Sequence, residues 1–444
     1  MMRCELADIA NWTDGALRGA SVTVAGMIHD SRRVEPGMLF VAIPGERVDG
    51  HEYLAAAADR GAVAALVTRP VNHALPQVIV DDAVLAMGRI AAAIRARAEV
   101  TVIAITGSNG KTTVKEMITA ILAAEAPTLA TAGNYNNEIG VPLTLARLRA
   151  EHRFAVIEMG AGKPGDIAYL AKLAAPDIAV VTNAGPAHLE RLGSIEGVAR
   201  TKGALFEALQ ADGVAVINAD DAFAGLWQGM AGHCRRLHFG LGETAEIRAT
   251  ALNGSVHIDT PSGAIETALA LPGRHNLMNA LAATAVAHAL GVENERIGSA
   301  LAGLDSLPGR LQMQRHPAGW CLIDDTYNAN PASLYAGLQV LTGLEGEPWL
   351  VLGDMAELGP DSVKLHREMG RSAADLGVRR LFAVGPASAA SAAAFGPGAM
   401  HFESHEALKA SLAEVLHEGV NCLVKGSRSM AMEQVVDGLI GEEG

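Results

Sequence analysis

Aromatic residues are scarce in this 444-residue sequence: Phe, Trp and Tyr make up 4% of it, whereas hydrophobic residues as a whole make up 50%. The cores are therefore predicted to consist of Ala, Val, Leu and Ile. No apolar run is long enough to cross a bilayer. The first residues also lack the apolar segment of a secretion signal. We expect a cytoplasmic protein without membrane insertion.

Cysteine and basic residues are also in short supply. The four cysteines are scattered without a C-x-x-C pair, which is typical of reduced, buried thiols. The chain has 35 Lys and Arg against 49 Asp and Glu, so its formal net charge is −14. This charge argues against a nucleic-acid partner. It also means that an anionic substrate must be held by local Arg and Lys side chains.

The length of the chain indicates two or three domains. Strand and helix signals alternate in each part, which predicts an α/β fold with parallel sheets. We expect a small N-terminal α/β domain, a central P-loop ATPase-like domain with a parallel sheet, and a C-terminal Rossmann-like α/β domain. The predicted boundaries are residues 1–98, 99–308 and 309–444.

The segment 100–116 has the pattern of a phosphate-binding loop. An apolar strand is followed by a glycine-containing turn and then by a helical pattern, so backbone N–H groups would face a phosphate. Lys111 would reach the outer phosphates, and Thr112 would bind Mg²⁺. The general template has a glycine where Ile105 stands, so this is a shortened variant; an ordinary Gly-rich turn is the alternative. The predicted nucleotide-binding residues here are Thr106, Gly107, Ser108, Asn109, Gly110, Lys111, Thr112 and Thr113.

Two polar residues follow predicted strands at the same edge as this loop. Glu158 ends the apolar run 154–157, where a carboxylate is placed to contact Mg²⁺, although a solvated strand end is the alternative. His188 follows the run 177–182 and is either a metal ligand or a surface histidine. Lys202, taken alone, indicates only a solvated charge.

Two polar clusters are candidate substrate sites. Ser31 and Arg32 lie in an arginine-rich loop that would hold a diphosphate, because Arg pairs bidentately with phosphate. A solvated loop explains this cluster equally well. Asn134, Asn136 and Asn137 offer donors and acceptors to a polar ligand, but asparagine is also a common turn residue.

Polar loops follow three predicted strands of the third domain, at 324–331, 353–359 and 425–429. Ligands bind at the carboxyl edge of a doubly wound sheet, so these loops are predicted to converge on one edge.

Taken together, these motifs resemble the ATP-dependent Mur ligases over nearly the whole chain. Within that family, N-Y-N-N-E-I-G, D-D-T-Y-N-A-N-P, L-G-D-M-A-E-L-G and V-K-G-S-R resemble the branch that adds D-alanyl-D-alanine to UDP-N-acetylmuramoyl-tripeptide. The Asp-Asn-Pro-Arg motif of the branch that adds a single amino acid is absent. The residues that carry the family resemblance are the 106–113 loop, Glu158, Asn183, His188, Lys202, Asn279, Arg310 and Asp325.

The resemblance implies a bacterial cytoplasmic enzyme that uses ATP and Mg²⁺. A monomer is the default expectation. In the family mechanism ATP converts a carboxylate to an acyl phosphate, which an amine then attacks. Lys111 would stabilise the transferring phosphate. Thr112, Glu158 and His188 would bind the metal together with Lys202, which family members carbamylate.

The resemblance also assigns the remaining candidates. Asn279 and Arg310 are implied near the nucleotide, and Asp325 at its ribose. Ser31 and Arg32 are implied on the uridine-diphosphate side. The expected muramyl-peptide residues are Asn134, Asn136 and Asn137, and the expected D-alanyl-D-alanine residues are Asn328, Asn330, Ser427 and Arg428.

Two alternatives stay open at this point. The amine could be a single amino acid, as in the related single-residue ligases and in folylpolyglutamate synthases, although the N-terminal domain argues against the folate version. In a different class, the loop would serve a phosphotransferase or an ATP-driven switch that has no amine acceptor.

Overall fold

The computed structural model describes residues 3–45, 48–186, 189–252, 255–305 and 307–441. Within these ranges, none of the helices combines the length and the apolar character needed to cross a membrane.

The N-terminal part contains a five-stranded sheet of order β2-β7-β6-β5-β4, in which only β2 is antiparallel, and a separate pair of β1 with β3. Two 3-10 turns, Ser31–Arg33 and Gly50–Tyr53, lie between the strands. The elements are β1 (Cys4–Glu5), α1 (Leu6–Thr13), β2 (Ala16–Arg18), β3 (Thr23–Val24), β4 (Gly26–Ile28), β5 (Met38–Val41), α2 (Leu54–Asp59), β6 (Ala64–Val67), β7 (Gln77–Ile79) and α3 (Ala83–Ala96).

The central part is built on a nine-stranded sheet of order β16-β15-β14-β13-β12-β11-β8-β10-β9, parallel except for β15 and β16 at one edge. Its strands are β8 (Thr101–Thr106), β9 (Thr128–Ala130), β10 (Phe154–Glu158), β11 (Ile178–Val181), β12 (Val214–Asn218), β13 (Arg235–Gly240), β14 (Ile247–Leu252), β15 (Ser255–Thr260) and β16 (Gly263–Thr267). Its helices are α4 (Lys111–Ala123), α5 (Gly140–Leu145), α6 (Asp166–Ala174), α7 (Leu189–Leu192), α8 (Ile195–Glu207), α9 (Ala224–Met230), α10 (Arg274–Ala289) and α11 (Asn294–Ala302).

The third part contains a six-stranded sheet of order β17-β18-β22-β19-β20-β21, in which only β17 is antiparallel. Two 3-10 turns, Gly359–Asp361 and Arg428–Met430, follow β19 and β22. The elements are β17 (Gln312–Arg315), β18 (Cys321–Asp325), α12 (Pro331–Thr342), β19 (Glu347–Gly353), α13 (Ser362–Asp375), β20 (Arg380–Val384), α14 (Ala389–Phe395), β21 (Ala399–Phe402), α15 (His405–Val415), β22 (Val420–Lys425) and α16 (Glu433–Ile440).

The cores have the predicted composition. The two faces of the central sheet are covered by clusters of Ala, Val, Leu and Ile, one of which continues into the N-terminal part through α3. The central strands β8, β10, β11 and β12 are almost wholly buried, as expected for strands covered on both faces by helices.

The predicted mixed α/β class with parallel sheets is confirmed, whereas the exact domain boundaries at 98/99 and 308/309 stay predictions. Local contacts set the bounds of elements in the N-terminal part. Helix α3 begins at Ala83 because the Asp82 side chain accepts hydrogen bonds from the N–H groups of Val84 and Leu85. Strands β3 and β4 are separated at Ala25, whose N–H donates to Gly37 O.

Candidate active site

The glycine-containing loop 107–110 connects β8 to α4. Gly110, at φ 81°, is the residue before the helix, and Lys111 is its first residue. The N–H groups of the first helical turn have no partner within the helix, so they face the loop's concave side and create a site for an anion.

Two glycines of this loop have no room for a side chain. A Cβ on Gly107 would lie 1.8 Å from Thr182 Oγ1, and a Cβ on Gly110 would lie 2.3 Å from Asn279 Oδ1. The loop is therefore packed against both β11 and α10. This packing explains why Gly107 and Gly110 are needed although the first template glycine is replaced by Ile105.

The residues after β11 fix the shape of the loop by hydrogen bonds. The Ser108 N–H donates to Asn183 O at 3.0 Å, and the Asn109 N–H donates to Asn183 Oδ1 at 3.0 Å. Thr182 Oγ1 donates to Asn109 O at 2.6 Å. The loop is thus held in place before any ligand binds, which is the arrangement expected of a preorganised phosphate site.

Lys111 is folded back over the loop. Its Nζ donates to Gly107 O at 2.8 Å. Burial lowers the pKa of Lys111, and the nearby charge of Glu158 partly offsets this effect.

Glu158 ends β10 and is buried. Its Oε1 accepts a hydrogen bond from Asn136 Nδ2 at 2.8 Å. Its Oε2 and the neighbouring Thr106 Oγ1 are also buried, and neither has a hydrogen-bond partner among the described residues. A buried carboxylate oxygen without a partner is costly unless a ligand satisfies it, and oxygen atoms are the ligands that Mg²⁺ prefers. These residues therefore fit a magnesium ion.

Lys202 lies on α8 and is 1% exposed. Within the described part of the chain, its Nζ forms no hydrogen bond or ion pair. Burial lowers its pKa well below the usual value, and the charge of Lys111 lowers it further. A neutral, nucleophilic amine is the form that these surroundings favour.

The third part closes the site from the opposite side. Asn330 caps helix α12, and its Nδ2 donates to Asn109 Oδ1 of the loop at 2.7 Å. Asp325 ends β18, and Lys425 Nζ donates to its Oδ2 at 2.5 Å and to Asn328 O at 3.0 Å. The guanidinium of Arg310 lies over the Tyr327 ring at 4.1 Å.

A cavity of 790 Å³ lies between these elements. The polar loops of the central and third parts converge on it, as the strand-end argument predicts. The candidate residues that line it are Gly107, Ser108, Asn109, Gly110, Lys111, Thr112, Thr113, Asn134, Asn136, Asn137, Glu158, Lys202, Asn279, Arg310, Asp325, Asn328, Asn330 and Arg428.

Comparison with known proteins shows what this arrangement is similar to. The family models for the Mur ligase family catalytic domain, the Mur ligase middle domain and the Mur ligase glutamate ligase domain match residues 23–110, 105–287 and 309–428. The UDP-N-acetylmuramoyl-tripeptide–D-alanyl-D-alanine ligase of Escherichia coli is 42% identical over 99% of both chains. The chain belongs to the Mur ligase family.

Solved Mur ligases share the fold. A structure of MurF from Acinetobacter baumannii is 34% identical and covers 99% of both chains with a TM-score of 0.94. MurF from Thermotoga maritima in complex with ADP is 29% identical and covers 94% of this chain and 98% of its own, with a TM-score of 0.85.

Five candidates of this Mur ligase either do not line the cavity or lie outside the described residues. Thr106 ends β8 just before the lining loop and is fully buried. Ser31 and Arg32 do not line the cavity, and the Arg32 guanidinium pairs with Asp30 at 2.8 Å. Ser427 is buried, and its Oγ accepts from the Ala356 N–H, so its observed contacts hold a loop together. His188 lies outside the described residues.

Other candidates also have local structural contacts. Asn137 Oδ1 accepts hydrogen bonds from the N–H groups of Ile139 and Gly140 before α5. Asn328 Oδ1 accepts from the Ala329 N–H at 2.9 Å. Arg428 pairs with Glu433 at 2.9 Å. Their substrate roles stay predictions.

Several lining residues were not assigned a role from the sequence, among them Lys425 and His275. Lys425 belonged to a recognised motif, and its register opposite Asp325 in β18 and β22 was the signal that could have assigned it. His275 follows Gly273 at the start of α10, and burial together with the charge of Lys425 lowers its pKa to about 4.

Proposed function

We propose that this Mur ligase joins D-alanyl-D-alanine to UDP-N-acetylmuramoyl-tripeptide at the expense of ATP. The products are ADP, phosphate and the UDP-N-acetylmuramoyl-pentapeptide used in peptidoglycan precursor synthesis. The observation that carries this proposal is the 42% identity, over 99% of both chains, to the Escherichia coli ligase of that name. The Thermotoga maritima structure in complex with ADP supports ATP as the nucleotide of this reaction.

The reaction requires an activated carboxylate, because a free carboxylate is a poor acyl donor at neutral pH. ATP supplies a phosphoryl group that turns the terminal carboxylate of the tripeptide into an acyl phosphate. The amine of the dipeptide then attacks the acyl carbon, and phosphate leaves. The chain's own contribution is charge stabilisation and positioning by Lys111 and the N-terminus of α4.

We propose that Thr112 and the unpartnered oxygen of Glu158 hold Mg²⁺, with His188 as a further candidate. When bound, the ion would neutralise phosphate charge. Asn136 supports this role because it fixes the Glu158 carboxylate through the Oε1 hydrogen bond.

Lys202 is proposed to carry a carbamate. Its depressed pKa favours the neutral amine, whose nitrogen attacks CO₂ and releases a proton, so a neutral group becomes an anionic carbamate that supports the metal site. A ¹³C NMR signal from labelled bicarbonate is expected in the wild type and absent in Lys202→Met. Partial rescue of a Lys202 variant by short-chain acids would agree with this role, and an unmodified amine under saturating bicarbonate would contradict it.

The family resemblance supports the following substrate directions. We propose that the uridine diphosphate binds toward Ser31 and Arg32, and the muramyl-peptide along Asn134, Asn136 and Asn137. The Arg33 guanidinium contacts the hydroxyl of Tyr135, which joins these two regions. D-alanyl-D-alanine is proposed to bind near Asn328, Asn330, Ser427 and Arg428. A monomeric, cytoplasmic enzyme is the corresponding proposal for the whole protein.

Phosphate release tests the function directly. We expect release from ATP only when both UDP-N-acetylmuramoyl-tripeptide and D-alanyl-D-alanine are present. Equal release with a single amino acid as the amine would favour the single-residue ligases. Release that needs no amine would indicate a phosphotransferase or a switch.

A further inference from the structure

The loop between β10 and α6 carries a lysine that lines the cavity beyond Glu158. Asp166 Oδ2 accepts the N–H groups of Gly162 and Lys163, each at 2.9 Å, and the Gly160 N–H donates to Asn136 O at 2.8 Å. The backbone that carries Lys163 is therefore anchored at both ends, and its side chain borders the cavity.

Arg191 on α7 approaches this loop from the other side. A Cβ built on Gly162 would lie 3.7 Å from Arg191 Nη1, so the guanidinium rests against the loop next to Lys163. Arg191 also lines the cavity. Two cations of like charge are thus brought to one rim of the cavity.

Lys163 and Arg191 are both exposed at this rim. No described carboxylate forms an ion pair with either of them. Asp166 lies beside them, and its Oδ2 accepts the two backbone N–H groups. Of the residues that line the cavity, seven are Lys or Arg, one of them the neutral Lys202, and four are Asp or Glu, although the whole chain has a net charge of −14. Adjacent like charges are unfavourable, and an anion between them removes this cost.

Lys163 and Arg191 lie on different elements from the proposed nucleotide-binding residues of α10 and the third part. Asn279, Arg310 and Asp325 lie on the side of α10 and the third part, whereas Lys163 and Arg191 belong to the elements that follow β10 and β11. The loop that carries Lys163 is hydrogen-bonded to Asn136, on the proposed muramyl-peptide side, through the Gly160 N–H. Helix α7 also packs against the 3-10 turn Gly359–Asp361 of the third part.

We propose that Lys163 and Arg191 form a binding subsite for a substrate carboxylate on the acceptor side of the phosphate loop. This inference rests on the proposed function, which brings two peptide substrates to the cavity. The carboxylate belongs either to the muramyl-peptide, next to the reacting group, or to the incoming dipeptide. Charge-assisted hydrogen bonds from both cations would hold it.

Steady-state kinetics of phosphate release distinguishes these sources. Lys163→Gln, Arg191→Gln and the double variant are compared with Lys172→Gln, which removes an exposed lysine from α6 outside the cavity. We expect each single variant to raise the KM of one peptide substrate roughly tenfold. The KM for ATP is expected to stay constant, and Arg191→Lys is expected to recover much of the loss.

The substrate whose KM rises is the one that carries the bound carboxylate. A rise in the KM of UDP-N-acetylmuramoyl-tripeptide assigns the subsite to the muramyl-peptide, and a rise in that of D-alanyl-D-alanine assigns it to the dipeptide. KM values for both peptide substrates that match those of Lys172→Gln would contradict the proposed subsite. Failure of the proposed function would be seen separately, as wild-type phosphate release that does not depend on both substrates.

Discussion

Gly107 shows how one residue sets the geometry of the phosphate loop. Because a Cβ there would meet Thr182 Oγ1 at 1.8 Å, Gly107→Ala must displace either the loop or the end of β11. We expect a large loss of phosphate release and a lower melting temperature. Gly229→Ala in α9 is the matched control, since nothing lies within 4 Å of its Cβ position. It is expected to be neutral or to stabilise by up to about 1 kcal/mol.

Lys111 is the loop cation proposed to stabilise the transferring phosphate. Removing one electrostatic donor of this kind raises the barrier by ~3–4 kcal/mol, so Lys111→Ala is expected to lower kcat by about 10²–10³-fold. Single-turnover measurements with saturating ATP would separate this loss from weaker nucleotide binding. Near-normal turnover would contradict the assigned role of the loop.

His275 makes stability depend on pH. Its pKa is lowered to about 4 by burial and the charge of Lys425, whereas in the unfolded chain it is about 6.5. The unfolded state therefore binds the extra proton first as the pH falls. The contribution of neutral His275 to the free energy of unfolding is fully present above about pH 6.5 and is lost as the pH falls toward 4.

Replacing His275 should weaken this pH dependence. The free energy of unfolding of the wild type is expected to fall more steeply between pH 6.5 and 4 than that of His275→Asn. Chemical denaturation at several pH values would test this, and parallel curves for the two proteins would contradict it.

At the scale of elements, the ion pair between Lys425 and Asp325 joins the carboxyl ends of β22 and β18. Their side chains are 3% and 15% exposed. Lys425→Met leaves a buried carboxylate without its partner, and we expect a loss of roughly 3–5 kcal/mol in the free energy of unfolding. Asp325→Leu combined with Lys425→Met should restore part of it.

The matched control for this pair is an exposed one on α8. Arg200 and Glu196 are 62% and 59% exposed, so Glu196→Gln is expected to change stability by less than about 0.5 kcal/mol. Equal losses for Lys425→Met and Glu196→Gln would show that burial does not govern the Lys425 pair.

The elements also show what the sequence can and cannot predict. The phosphate loop was predictable because strand, glycine turn and helix are contiguous, and Glu158 because it ends an apolar run. The contact between Asn330 and Asn109 was not, since it joins residues 221 positions apart through two separate sheets. Lys425 and Asp325 are 100 positions apart and meet only through the register of β18 and β22.

On the scale of the whole molecule, the nucleotide side of the cavity is shared between two sheets. The hydrogen bond from Asn330 to the loop shows that the third part contacts the central part in this arrangement. Because the proposed substrates must enter between these parts, we expect the molecule to open and close. X-ray scattering should show a smaller radius of gyration with an ATP analogue and UDP-N-acetylmuramoyl-tripeptide than without ligands. An unchanged radius would contradict closure on binding.

The antiparallel strands β15 and β16 have a consequence for solubility. A parallel sheet that ended at β14 would present a row of free backbone groups on which another chain could pair. In this protein the outermost strand is short and carries Glu266, whose carboxylate contacts His257 Nδ1 at 2.6 Å across the strand pair. Charged side chains on a short terminal strand disfavour the addition of a foreign strand. We therefore expect the β15–β16 hairpin to disfavour the addition of a foreign strand at this edge of the central sheet.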